Sequence, residues 1–377
     1  MPNYSGRWGL SDQMQAVAAG TWTGLPTYEL WAWGFGAING DNTAINRSSP
    51  VQVGLQTNWN QISLKGDFCA SVKSDGSLWT WGGNGFGQLG DNTTITRSSP
   101  VQVGSLTTWS KASAGYSVGS AIKTDGTLWT WGYNVKGGVG DGTIIDRSSP
   151  VQVGALTTWS QISTGLYNTL AIKTDGTLWA WGYNRAGGLG NNSVANVSSP
   201  IQVGALTNWS KISTGYDSSA AIKTNGTLWT WGSNSFGALG DGTVINRSSP
   251  VQIGALTTWS DVSINALPMA LKSDGTLWMW GYNVNGGLGQ NNTINRSSPV
   301  QVGVLTTWSK ISAGYAASGA IKTDGTMWSW GSNAQGQLGD NTIVNRSSPI
   351  QIGARTSWSQ ISFGQYNGAA NYSGTTS

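Results

Sequence analysis

An all-β fold, built as a closed ring of seven small antiparallel sheets, is what this sequence predicts, and three observations predict it. First, Trp-Gly pairs recur with Trp at positions 33, 81, 131, 181, 231, 280 and 330, at successive spacings of 48, 50, 50, 50, 49 and 50 residues. So regular a period means stacked copies of one supersecondary unit. Second, each unit holds only short alternating strands separated by turn residues, with no helical period. Third, each chain end carries half a unit, and only a ring uses both halves.

Residues 159–209 display the unit. Trp159-Ser-Gln-Ile-Ser163 alternates and reads as a first strand. Gly165-Leu-Tyr-Asn168 is a turn. Leu170-Ala-Ile-Lys173, Thr174-Asp-Gly176 and Thr177-Leu-Trp-Ala-Trp181 form a hairpin, because Asp-Gly supplies the positive φ of a tight turn. A long loop rich in Gly and Asn follows Gly182. Pro200-Ile-Gln-Val203 reads as a fourth strand, with Pro at its first position, where a missing N–H is tolerated. In the third strand Trp179 and Trp181 point one way and Leu178 the other. A sheet apolar on both faces must be sandwiched, and radial stacking as the blades of a β-propeller achieves that.

The ends fix the closure. Glu29-Leu-Trp-Ala-Trp33-Gly34 matches the third strand but has no first strand before it. Trp358-Ser-Gln-Ile-Ser362 and Gly368-Ala-Ala-Asn-Tyr372 supply the missing half. The sequence therefore predicts a seven-bladed β-propeller of four-stranded antiparallel blades, closed where the N- and C-terminal segments pair. Trp33, Trp81, Trp131, Trp181, Trp231, Trp280, Trp330 and Trp358 are its structural residues. Length alone, 377 residues, suggests two or three domains. The repeat replaces them with one array over residues 28–377, preceded by a segment at 1–27.

The segment Trp81-Gly-Gly-Asn-Gly-Phe-Gly-Gln-Leu-Gly90, with Pro100-Val-Gln-Val103 and Ile122-Lys-Thr-Asp-Gly126, resembles the regulator of chromosome condensation repeat family. The pattern Trp-Gly-x-Asn-x-x-Gly-x-Leu-Gly recurs over roughly residues 28–371. The resemblance implies a seven-bladed β-propeller and a role as an interaction scaffold. The family includes a chromatin-bound nucleotide exchange factor and a bacterial propeller that inhibits β-lactamase. This chain departs from the family where His often follows the Gly of the inner turn. It has Val118, Asn168, Ser218, Ala317 and Asn367 there, and no His anywhere. No inserted wedge of the exchange-factor kind is present either, which argues against exchange activity. The opening Tyr4-Ser-Gly-Arg-Trp8, followed by a Gln/Ala-rich stretch, is similar to openings of virion and tail-associated proteins of tailed bacteriophages. Residues 1–27 read either as a leader without fixed structure or as an anchor to a particle.

Composition narrows the chemistry. Only 10% of residues are charged, against roughly 25% in ordinary domains, so neutral polar side chains and Gly cover the surface. The net charge of +4 is not gathered into a basic patch, which argues against nucleic acid as a partner. Cys69 is the only cysteine, so neither a disulfide framework nor a thiolate metal site is expected. There is no signal-peptide h-region and no long apolar run for membrane insertion. The expectation is cytosolic synthesis without a cleavable signal, and function in a virion or outside the cell. With no His, and Glu29 as the only glutamate, the usual triads and zinc sites cannot be assembled. No cofactor, no metal and no catalytic residue is assigned. A carbohydrate-active enzyme using two Asp remains a distant reading.

Two sets of residues stand out. Asp41, Asp91, Asp141, Asp241 and Asp340 are each followed six residues later by Arg47, Arg97, Arg147, Arg247 and Arg346. One carboxylate per loop is too few for a calcium cage, so the Asp141–Arg147 type of pair reads as a structural clamp. The second set comes from the one loop in which the copies disagree, and it holds Phe68, Tyr116, Tyr167, Asn168, Tyr216, Asp217, Asn265, Tyr315 and Tyr366. Equivalent loops of a propeller share one face. Tyr among Ser, Asn and Gly suits protein or glycan contact, so these residues are the expected binding face, replaceable without loss of stability. The leading expectation is a non-enzymatic virion or tail-associated protein. It would be held to other virion proteins through residues 1–27 and would recognise a host-surface protein or glycan. A secreted protein-inhibitor or lectin-like module is the alternative.

Overall fold

The computed structural model describes residues 26–375, and their strands form seven four-stranded antiparallel sheets. Blade 1 shows the plan. Trp59–Lys65 is innermost, followed outward by Phe68–Lys73, Leu78–Gly82 and Arg97–Gln102. Blades 2 to 6 repeat it over residues 109–152, 159–202, 209–252, 259–301 and 308–351. Blade 7 is the composite that the chain ends predict. Trp358–Phe363 and Asn367–Thr375 from the C-terminal side pair with Pro26–Gly34 and Arg47–Gln52 from the N-terminal side.

The two ends pair from Pro26↔Thr375 through Gly34↔Asn367. The equivalent ladder in blade 3 runs only from Asn168↔Gly182 to Ile172↔Leu178. The seam is thus a longer ladder than the internal one. Its strand starts at Pro26, inside the segment assigned to the leader, while residues 1–25 lie outside the described residues.

Packing follows the predicted alternation. Trp181 and the half-buried Trp179 meet Ile122, Leu128 and Val153 of blade 2. Leu178 and Ala180 meet Trp209 and Trp231 of blade 4. The seam is filled in the same way, with Trp33, Trp358, Ile361 and Phe363 against Met327, Leu338 and Ile352 of blade 6. A second use of Trp was not foreseen. Lys173 Nζ lies 3.5 Å from the Trp179 ring centre and 5.0 Å from that of Trp159. Such cation–π stacking explains Lys in every full Ile-Lys-Thr-Asp-Gly copy. In blade 7, where Lys is missing, Arg355 stands 4.2 Å from the Trp31 centre.

Three rings of hydrogen bonds join the blades, and each closes across the seam. In the innermost ring, a Ser hydroxyl accepts a backbone N–H from the neighbouring innermost strand, as from Thr164 to Ser113 at 3.0 Å and from Leu64 to Ser362 at 2.8 Å. In the middle ring, each Trp-Gly indole N–H donates to a carbonyl of the preceding blade. Trp181 reaches Gly138 at 3.0 Å and Trp33 reaches Gln337 at 2.8 Å.

The outer ring corrects an expectation. The fourth strand begins at Val197, not Pro200, and its register jumps between Ala180↔Ile201 and Gly182↔Val197. Ser-Ser-Pro therefore bulges out of an edge strand, where the missing N–H of Pro costs no ladder bond. The bulge exposes the Ser198 carbonyl to the Gly142 N–H of blade 2 at 2.8 Å, and Asn341 makes the same bond to Ser48 at 2.6 Å across the seam. The donors need a left-handed backbone, with φ 62 at Asn341 and 81 at Gly142, which is why only Asn or Gly occurs there.

Candidate binding face

The turns leading from innermost to second strands share one face with the long loops that follow Trp-Gly, because Phe68, Gly82 and Arg97 lie side by side at the strand ends. The structure divides the predicted set in two. Tyr216, Tyr315 and Tyr366 are about 40% exposed, and Tyr167 and Asp217 are half-buried. Phe68, Tyr116, Asn168 and Asn265 are buried. The innermost strands converge on a narrow bore, so a residue at the end of such a strand has little room to turn outward. Phe68 instead opens the second strand and packs against Trp109 and Trp131 of blade 2.

Tyr116 closes the bore. Its hydroxyl donates across the axis to Asn265 Oδ1 at 3.0 Å, and its ring meets Tyr216 edge-on with centres 5.1 Å apart. Burial, with the neighbouring Tyr216 and Tyr315, drives its phenol far above the ordinary range. Lys65 belongs to the same plug. Its ammonium donates to the Thr164 carbonyl at 3.1 Å and to that of Thr214, so a side chain of blade 1 ties blades 3 and 4. Burial pushes its pKa down to about 7. Replacing Tyr116 therefore removes a structural contact, contrary to the expected tolerance.

The exposed residues have partners that the sequence reading missed. Tyr133 lies 4.9 Å from Tyr167 and 5.0 Å from Phe86, ring centre to ring centre. Phe236 lies 5.0 Å from Tyr282. Tyr133, Tyr183 and Tyr282 occupy the position after Trp-Gly, where the copies read Phe, Gly, Tyr, Tyr, Ser, Tyr and Ser. That disagreement was the available signal. Between blades 4, 5 and 6 these loops enclose a cleft of about 550 Å³, bordered by Tyr216, Phe236, Tyr282 and Tyr315. Burial raises the pKa of Asp217 on its border, and Arg185 partly offsets the effect.

The Asp–Arg pairs stand in the same long loops as a clamp. Arg147 donates through Nε to Asp141 Oδ2 at 2.8 Å and through a terminal nitrogen at 2.6 Å. Asp141 Oδ1 accepts from the Thr143 amide, its hydroxyl and Asn134. Asn191 and Val197 replace the pair in blade 3, and Gln290 takes the Arg296 Nε–H at 3.4 Å in blade 5. Both carboxylate oxygens are thus spent on the loop itself. Among the described residues no group of three or more His, Cys, Asp or Glu is placed to hold a metal ion.

Burial works to raise the pKa of Asp141, but the bonds from Thr143 and Arg147 hold it below the usual value. A depressed carboxylate pKa contributes stability that is present above ~4 and lost as pH falls through the folded value. A double-mutant cycle of Asp141→Ala and Arg147→Ala should therefore give about 0.5–1 kcal/mol of coupling at neutral pH, the scale of a partly exposed pair. The coupling should vanish in acid melts near pH ~2.

Comparisons with known proteins agree with this architecture. The RCC1-like domain model matches residues 6–307, and regulator of chromosome condensation (RCC1) repeat models match 308–337 and 324–370. No curated protein matches the chain by sequence. Among solved structures, human WBSCR16 is 17% identical with a TM-score of 0.82, covering 92% of this chain and 99% of that one. Yeast RCC1 (Prp20), solved bound to Kap60, is 16% identical with a TM-score of 0.82, covering 94% of this chain and 91% of that one. Prp20p from Saccharomyces cerevisiae, described with binding properties to Gsp1p and histones, gives 17% and 0.81 over 94% and 93%. At these identities the solved structures speak for the fold, and the match over residues 6–307 for the family. The chain belongs to the RCC1-like domain family.

Proposed function

We propose that the chain is a non-catalytic recognition module whose aromatic loop face meets a partner on a host surface, carried by a virion to which residues 1–27 anchor it. One observation carries the recognition part. The seven units share the Trp, Ser and Asn-or-Gly contacts that join neighbouring blades, yet the face displays Tyr216, Tyr315, Tyr366 and Phe236 partly exposed to solvent. Partly exposed aromatic rings on a rigid support supply contact area at low conformational cost. The sparse charge of the surface and the opening's similarity to tail-associated phage proteins support the virion setting. A protein partner accords with the Kap60 complex of the yeast relative.

A secreted inhibitor or lectin-like module would use the same face without a particle. An enzyme with two catalytic Asp has less support, because Asp217 is the one carboxylate bordering the cleft, whereas that chemistry needs two.

Particles purified from the producing culture provide the test. Mass spectrometry should find the chain in them, and a chain lacking residues 1–25, which keeps the seam ladder from Pro26 onward, should be absent. Particles carrying Tyr216→Ala with Tyr315→Ala should adsorb to host cells at least about tenfold less well, a loss of the size expected for truncated aromatic anchors. Absence of the full-length chain from particles would remove the virion reading. Undiminished adsorption would remove the face.

A further inference from the structure

The geometry points to a short neutral glycan as the ligand of the cleft between blades 4, 5 and 6, an inference that rests on the recognition reading above. The cavity of about 550 Å³ falls within the range of roughly 300–1,000 Å³ typical of small-ligand sites. Two aromatic pairs border it, Tyr216 with Tyr315 at 6.0 Å and Phe236 with Tyr282 at 5.0 Å. Aromatic faces carry negative charge density, which attracts the polarised C–H face of a sugar ring.

The lining also holds Ser233, Ser235 and Asn285, neutral groups that both donate to and accept from hydroxyls. A further donor lies deeper. Asn265 is 1% exposed and borders the cleft; its Oδ1 takes the Tyr116 hydroxyl, and its Nδ2 is buried without a partner. A buried unpaired amide costs free energy, and a ligand hydroxyl or bridging water would recover it.

Charge selects within the class. The cleft's lining holds Asp217 and no Lys or Arg, and the nearby Arg185 is already set against Asp217, so an anionic saccharide or phosphate meets a carboxylate and no cation in the lining. A peptide adding itself as a strand needs a free sheet edge. The cleft lies at strand ends, whereas the free edges belong to the outermost strands.

The test is a glycan microarray of neutral and anionic oligosaccharides, probed with the full chain. A neutral glycan should be retained, and Tyr282→Ala or Asn285→Ala should weaken its binding at least tenfold, about 1.4 kcal/mol. Leu156→Ala, in a loop at the opposite strand ends, should bind as the parent does. Thermal melts matching the parent establish that the variants fold, and Asn285→Ser, which keeps a hydrogen-bonding group, should recover part of the loss. Retention of anionic glycans alone, of none, or equal retention by the variants would overturn the assignment. Cell adsorption separates this from the parent reading. Adsorption that needs Tyr216, survives periodate and disappears with protease would refute the glycan and leave recognition standing. Adsorption indifferent to Tyr216 and Tyr315 would remove both.

Discussion

Deleting residues 358–377 should abolish the cooperative thermal melt of the chain. The deletion takes the innermost and second strands of blade 7 and leaves Pro26–Gly34 without its partner ladder. Trp358, Ile361 and Phe363 disappear from the joint with blade 6, and Trp33 loses its edge-on contact with Phe363 at 5.9 Å. The serine ring is cut twice, at Ser312–Phe363 and at Ser362–Leu64. An open stack of repeats can retain stability as a sum of neighbour terms, so the outcome discriminates between two pictures. A closed ring without its clasp exposes two apolar blade faces and gives a broad, non-cooperative transition. A sharp melt of the truncated chain, monitored by calorimetry, would refute closure as the source of cooperativity.

Trp33→Ala should cost about 3–5 kcal/mol, and Trp181→Ala at an internal joint should cost the same. Both side chains are fully buried, and both donate an indole N–H to a carbonyl of the preceding blade. Their truncation leaves a cavity and an unpaired carbonyl together. Denaturant melts at matched conditions measure the two costs. Near-equality means that the seam is one joint among seven. A Trp33 cost well under half that of Trp181 would mean that the seam is a weak lap. Gly368 sets a limit on repair, since a Cβ added there would stand 2.4 Å from Trp33 atoms.

The fold was legible because its determinants are local and repeated. Asp-Gly fixes the hairpin, Trp-Gly ends the third strand, and alternation of Trp179, Leu178 and Trp181 tells which faces must be covered. Half-units at the two ends then leave a ring as the arrangement that uses both. What stayed illegible depends on radius and on distant partners. Nothing near Lys65 in sequence indicates that its ammonium ends against the carbonyls of Thr164 and Thr214. Tyr116 and Tyr216 occupy the same repeat position, yet one crosses the bore and the other stays partly exposed. The second Ser of Trp-Ser-Gln-Ile-Ser reads as strand alternation, and its bond to the next blade appears only once the innermost strands lie side by side. The aromatic residues after Trp-Gly stand in a long Gly- and Asn-rich loop whose place on the face no local pattern reveals. The topology places that loop beside the turn that was read as the binding face.

Native-state hydrogen exchange at the seam tests closure most directly. Amides of Trp31 and Trp33, which face 370 and 368 across the seam, should open with the same free energy as those of Ala220 and Ile222 in blade 4. Equal protection, lost together as denaturant is raised, is the predicted result. Seam amides that exchange by a separate, lower-energy opening while blade 4 stays protected would contradict a single closed ring.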